Sequence, residues 1–180
     1  MSNYVVIARF DSVTDKKLNK LRKSFVNAGY SVSEWPVHIT MAAYENIDEN
    51  LICNWTEKFC KSHTSVNINL CSFGSFPPSK NNNVLYLAPA YSKTFVDFYY
   101  DFHQRYEEYC TGIGRYNSII DDSPSIHCTI AEINTNDLQN AINLVFDSSC
   151  FMQAQITTLE VYTYPMRLIK NFELKKRGKK

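Results

Sequence analysis

The chain has no apolar run approaching the roughly 20 residues that a membrane-spanning helix requires. Its first residues, MSNYVVIARFD, lack the basic segment, apolar stretch and cleavage site of a signal peptide, and they read as a strand. A soluble cytoplasmic protein without membrane contact is the expectation. None of the six cysteines (Cys53, Cys60, Cys71, Cys110, Cys128, Cys150) belongs to a C-x-x-C pair, and they do not read as a disulfide framework or a metal site. Buried reduced thiols acting as small hydrophobes fit better. Basic surplus is also missing. The formal charge is +1, but five of the 19 basic residues lie in the terminal KKRGKK of residues 175–180, which leaves 14 basic against 18 acidic residues in the body. Binding to long nucleic acid runs on many phosphate contacts, so no extended nucleic-acid surface is expected. A small anionic ligand in a local pocket remains compatible with that balance.

What is present is ordinary globular material, 44% hydrophobic and 21% charged, in 180 residues. That length suits a single domain with a real core. Apolar periodicity gives a strand at YVVIARF and a helix through Leu18, Leu21, Phe25 and Val26, with Thr14 as N-cap and Gly29 as stop. A short strand at PVHITMA follows, then a helix through Ile52, Trp55 and Phe59, and a strand at VNINLCSF. The order then repeats. VLYLAPA is a strand, and a helix runs through Phe95, Phe98, Tyr99, Phe102, Tyr106 and Tyr109. PSIHCTIA is the next strand, Leu138, Ala141, Ile142 and Val145 mark a helix, and AQITTLEVYTY and IKNFELK close the chain as strands. The reading is α+β: one domain over residues 1–180, bilobal, with pseudo-symmetric lobe-forming repeats at about 1–76 and 84–174 and a basic tail at 175–180. Mainly antiparallel sheets are flanked by helices, with the active-site cleft between the lobes. Residues 74–83 and 111–124 lack periodicity and carry turn residues, so both read as loops bordering the cleft.

Each half places a histidine and a threonine two positions apart on a strand: His38 and Thr40, then His127 and Thr129. Alternation puts i and i+2 on one side, so His38, Thr40 and Ala42 share a face opposite Val37, Ile39 and Met41. If the lobes pack about a pseudo-twofold axis, two imidazoles and two hydroxyls meet across one cleft. One imidazole can then take a proton from an attacking hydroxyl or water while the other protonates the leaving oxygen. The hydroxyls can donate to a phosphoryl oxygen where charge builds up. This set suits in-line phosphoryl transfer without a metal, since two histidines alone are too few for a zinc site. Reference imidazole values near 6.5 would place the activity maximum at about pH 6–7.5. Trp35, Tyr44, Phe76 and Tyr116 lie near the motifs and could stack on a base, and Lys80 and Arg115 could reach a phosphate. His63 and His103, among polar neighbours, read as surface groups.

In VHITM and IHCTI the sequence resembles the two-histidine (2H) phosphoesterases, which include 2',5' RNA ligase-like proteins and cyclic phosphodiesterases. The resemblance implies a bilobal fold and a site made of His38, Thr40, His127 and Thr129. It implies no cofactor, and a nucleotide or RNA-end substrate carrying a 2',3'-cyclic phosphate or a 2',5' linkage. By the same resemblance His38 would be the acid and His127 the base. A monomer is expected. Many relatives carry an arginine or aromatic residue five positions beyond the second histidine, where this chain has Glu132. Alternation turns Glu132 away from His127 unless the strand bulges. The alternative reading is a non-catalytic protein of the same fold that binds a nucleotide or RNA end.

Overall fold

The computed structural model describes residues 3–76, 81–120, 124–148 and 151–176. The first half forms β1 (Tyr4–Phe10), α1 (Ser12–Asn27), β2 (Ile39–Tyr44), α2 (Glu49–Ser62) and β3 (Val66–Phe76). The second half repeats the succession as β4 (Asn82–Pro89), α3 (Lys93–Phe102), β5 (Cys128–Asn134), α4 (Leu138–Asp147) and β6 (Met152–Thr163), and β7 (Arg167–Glu173) is appended.

The strands make one seven-stranded antiparallel sheet in the order β2-β1-β6-β3-β4-β5, with β7 beside β6. Each half keeps its first two strands together and sends its third across. β6 pairs with β1, and β3 pairs with β4, while β3 and the start of β6 join the halves from Val66↔Ile156 to Leu70↔Met152. The motif strands β2 and β5 therefore end up at opposite ends of the sheet path.

Alternation along β1 shows how the two faces are used. Tyr4, Val6, Ala8 and Phe10 join the large core, while Val5 and Ile7 join a smaller cluster with Ala43, Tyr162, Trp35 and Ile113 on the other face. Burying each large apolar side chain contributes about 1.5–3 kcal/mol, so the helix-covered face dominates stability. The second face is left partly open. No helix among the described residues is long and apolar enough to cross a membrane.

Several local expectations are corrected. The N-cap of α1 is Asp11 rather than Thr14: its carboxylate accepts from Val13 N, Thr14 N and the Thr14 hydroxyl, which satisfies amides that the helix leaves free. Gly29 follows the helix with φ +89, a conformation that favours glycine, and Val26 is exposed. Residues 74–76 and 82–83 are strand rather than loop. Phe76 pairs with Val84 in a β3–β4 hairpin, and residues 77–80 lie outside the described residues. α3 stops at Phe102, and Tyr106 (φ 65) breaks the path before a separate 3-10 turn at Glu107–Tyr109. His103, which follows α3, points inward. It is 2% exposed, not a surface group, and bonds to the Met41 carbonyl and to Glu107. His63 is partly buried, stacked on Phe59 at 3.9 Å. Cys60, Cys110 and Cys128 are buried free thiols and Cys53 is partly buried, but Cys71 is exposed on β3. Cys150 lies outside the described residues.

Candidate active site

Both motif strands carry a β-bulge at the same place. Along β2, Ala42 faces Val6 and Thr40 faces Ile7, so Met41 is left over; along β5, Ala131 faces Leu85 and Thr129 faces Tyr86, so Ile130 is left over. In each case the extra residue is the third after the histidine. An extra residue reverses the alternation beyond it. Ala42 and Ala131 consequently sit in the large core, not on the polar face as strict alternation requires, while Ala43 and Glu132 turn to the cleft. Glu132 is thus an exposed acid on the wall that carries Thr129.

The histidines stand just ahead of their strands and are held alike. The Nδ1–H of His38 donates to the Pro36 carbonyl at 2.6 Å, and the Nδ1–H of His127 donates to the Ser125 carbonyl at 2.8 Å. A carbonyl can only accept, so Nδ1 carries the hydrogen and Nε2 is the nitrogen left for chemistry. Burial is the largest influence on His38 and pushes its imidazole down to about 4. The Pro36 carbonyl opposes this, and the charges of Arg22, His127 and Arg9 add to it. Burial also lowers His127, against the pull of the Ser125 carbonyl. The His38 ring nevertheless keeps an edge on the cavity.

The four motif residues border two adjoining cavities of about 280 and 620 Å³ that share Thr40, Phe76, Ile113 and Asn117. His38 and Thr129 line the first, and His127 lines the second. Trp35 packs on His38 at 5.7 Å, while Phe76 and Tyr86 each pack on His127 at 5.2 Å. The cleft therefore offers two Nε2 atoms and two hydroxyls within aromatic walls.

Of the other candidate residues, Trp35, Phe76 and exposed Tyr116 line the cleft. Tyr44 does not. It is fully buried on the core side of β2, where the reversed alternation sends it, and cannot touch a ligand in the cleft. Arg115 is exposed but is not among the described residues lining either cavity, and Lys80 lies outside the described residues. The 3-10 segment Gly112–Asn117 rims the cleft as its irregular sequence suggested, and Glu45 fixes it by accepting from Thr111 Oγ1 and Ile113 N. Asn117 and Tyr86 also line the site, and no motif marks either one. Among the described residues, His103, Glu107 and Cys110 form the one group of three whose donor atoms could converge on a metal, and none of them lines these cavities.

A sequence profile of the 2'-5' RNA ligase superfamily matches residues 10–165. No curated protein matches the chain in sequence. Solved structures with a similar fold include E. coli LigT in its apo form, with TM-score 0.61 and 11% identity over 97% of this chain and 98% of LigT. TT0787 of Thermus thermophilus gives a TM-score of 0.58 at 12% identity, over 99% and 100% of the two chains. Kluyveromyces marxianus Usb1 gives 0.56 at 13% identity, over 96% and 98%.

Proposed function

The chain belongs to the 2'-5' RNA ligase superfamily, and from that membership we propose that it is a metal-independent phosphoesterase acting on a 2',3'-cyclic phosphate or a 2',5'-phosphodiester of RNA or a nucleotide. One observation carries the reading: in each half the histidine Nδ1 is tied to the carbonyl two residues upstream, and the two histidines and two threonines border one cleft. Such a pair is pre-oriented for acid–base work, since the hydrogen bond fixes the tautomer and the ring plane.

In the proposed reaction a water oxygen attacks phosphorus and the P–O3' bond of the cyclic phosphate breaks, leaving a 2'-phosphate. The Nε2 of one histidine takes the proton of the attacking water. The Nε2–H of the other gives its proton to the departing 3' oxygen. By family resemblance His127 is the base and His38 the acid. Thr40 and Thr129 donate hydrogen bonds to the phosphoryl oxygens, where negative charge grows. A 5'-hydroxyl attacking in place of water would form a 2',5' linkage with the same proton transfers.

Structures sharing this fold include Usb1 with uridine monophosphate and LigT with ATP or with phosphate, which supports a nucleotide-like ligand. The acidic body favours an RNA end or small nucleotide over a long strand. The test is turnover of a 2',3'-cyclic nucleotide followed by phosphorus NMR. His38→Ala and His127→Ala should each lower kcat about 10²–10⁴-fold, and EDTA should change nothing. Thr40→Ala or Thr129→Ala should cost about 10²–10³-fold. The double histidine variant should be little worse than the poorer single one. Binding without turnover would leave a nucleotide-binding protein, and activity lost to chelator would mean a metal mechanism.

A further inference from the structure

Arg22 stands where the periodicity of α1 calls for an apolar residue, between Leu18, Leu21 and Phe25, and it is 5% exposed. Its two terminal nitrogens point to different halves of the molecule. Nη1 donates to the Trp35 carbonyl at 2.6 Å, three residues ahead of His38, and Nη2 donates to the Thr129 carbonyl at 2.6 Å, inside the second motif.

β2 and β5 are the ends of the sheet path, so no ladder between them sets their separation. One backbone bridge, Ser31↔Glu132, ties the segment before β2 to β5, and Glu132 N donates to Ser31 O. Nearer the histidines the tie is made by the Arg22 fork.

We propose that Arg22 is a positioning residue that sets the spacing of the two H-x-T strands through the Trp35 and Thr129 carbonyls, and whose buried charge faces the back of the phosphate site. A guanidinium suits this task because its planar fork spans two acceptors at fixed angles, whereas an ammonium on a flexible stem is a point charge. The charge also opposes protonation of His38. The other titratable or charged groups around that imidazole are Arg9 of β1, which is paired with Asp15 and Glu160, His127 and Cys128 at the start of β5, and Glu132 across the cavity. Arg22's part in turnover rests on the two-histidine reading above, while its effect on His38 does not.

Two variants and two readouts test the proposal. Arg22→Lys keeps the charge but not the fork, and Arg22→Met removes both. On a 2',3'-cyclic nucleotide both should lower kcat, with KM changed much less, by about 10²-fold, as expected for a displacement of order 1 Å at the reacting groups. Titration of the histidine side chains by NMR in the ligand-free protein should show the His38 midpoint rising in Arg22→Met and staying near wild type in Arg22→Lys. A merely structural arginine would lower the unfolding temperature and move neither readout. If the wild-type protein does not turn the substrate over, the functional reading fails and the titration still decides the electrostatic role. Folded variants with wild-type kcat and an unmoved His38 midpoint would overturn the proposal. So would failure of Arg22→Lys to fold, which would make the residue a structural strut.

Discussion

The Nε2 of His103 stands 2.7 Å from the carbonyl oxygen of Met41, the residue left over in the bulge of β2. A bulge frees backbone groups from the ladder, and a buried free carbonyl is costly unless something donates to it. His103 does so from the end of α3, with its Nδ1 on Glu107. Glu107 also accepts from Ser118 Oγ at 2.5 Å and Ile119 N at 2.7 Å. The bulge that sets the facing of the first motif is therefore anchored from behind.

That anchor predicts a stability effect. His103→Phe fills the space but leaves the Met41 carbonyl and the Glu107 carboxylate short of a donor, so unfolding free energy should fall by about 1–3 kcal/mol. Burial alone would raise the Glu107 carboxyl, but the bonds from His103, Ser118 and Ile119 outweigh it and hold the group below its ordinary value. A carboxyl lowered in the folded state stabilises above its unfolded value, and that contribution is lost as pH falls through the folded one. Chemical denaturation from pH 7 to 3 should show Glu107→Gln less stable than wild type at neutral pH, with the gap closing in acid. A gap that stays constant would mean the carboxylate charge has no part in it.

The order of elements was readable because amphipathic periods of 3.6 and 2 are local properties, and the repeat of H-x-T at matching places singled out the pair that the fold brings to one cleft. What was not readable depends on contacts between distant parts of the chain. Nothing in VNINLCSF says that β3 joins the second half's strands, because strand exchange changes partners without changing pattern. The bulges at Met41 and Ile130 lie in stretches whose alternation looks unbroken, and this misdirected Tyr44 to the cleft and Ala42 to the polar face. His103 looked superficial among polar neighbours, although its partners lie on β2 and in the turn beyond. Arg22 did leave a signal, since a charge at i+4 from Leu18 on an apolar face requires buried acceptors.

Glu132 should act on selectivity. The bulge aims it into the cavity with Trp35, Thr129 and Ser33, where it repels a second anionic group. Glu132→Gln should improve kcat/KM about 2–5-fold for a 2',3'-cyclic nucleotide bearing an additional 5'-phosphate, in line with the value of exposed charge pairs. The unphosphorylated nucleoside cyclic phosphate should change little. Raising the salt concentration should erase the difference. An equal change for both substrates would remove charge as the cause.

Gly114 allows the rim to close on β2. A Cβ placed there would lie 1.9 Å from the Ala43 carbonyl oxygen, and a backbone carbonyl in a strand cannot swing aside. Gly114→Ala must push the 3-10 segment outward, taking Ile113 and Asn117 from the cleft wall. Stability should drop by about 1–3 kcal/mol, the usual range for overpacking, and KM should rise more than kcat falls. Thermal unfolding and steady-state kinetics on the same preparation would check both. Unchanged KM would mean that the segment does not contact substrate.

The pH dependence should differ from the value expected of free imidazoles. The proposed reaction needs one histidine neutral and one charged, so the profile should be bell-shaped, and kcat/KM reports the groups of the free protein. Burial lowers both, His38 to about 4, so the kcat/KM maximum should lie on the acid side of about pH 6.5, not across the pH 6–7.5 that reference values give. A bound phosphate anion favours the charged imidazole. The kcat profile, which reports the complex, should therefore sit at higher pH than the kcat/KM profile. The same shift acts on stability. Between about pH 6.5 and 4 the unfolded chain holds a proton on His38 that the folded protein does not, so the ligand-free protein should lose stability as pH falls through that window. His38→Gln should flatten the loss, and inorganic phosphate should reduce it. Coincident kcat and kcat/KM maxima above pH 7.5, or a stability curve indifferent to His38→Gln, would show that these imidazoles do not titrate as their surroundings dictate.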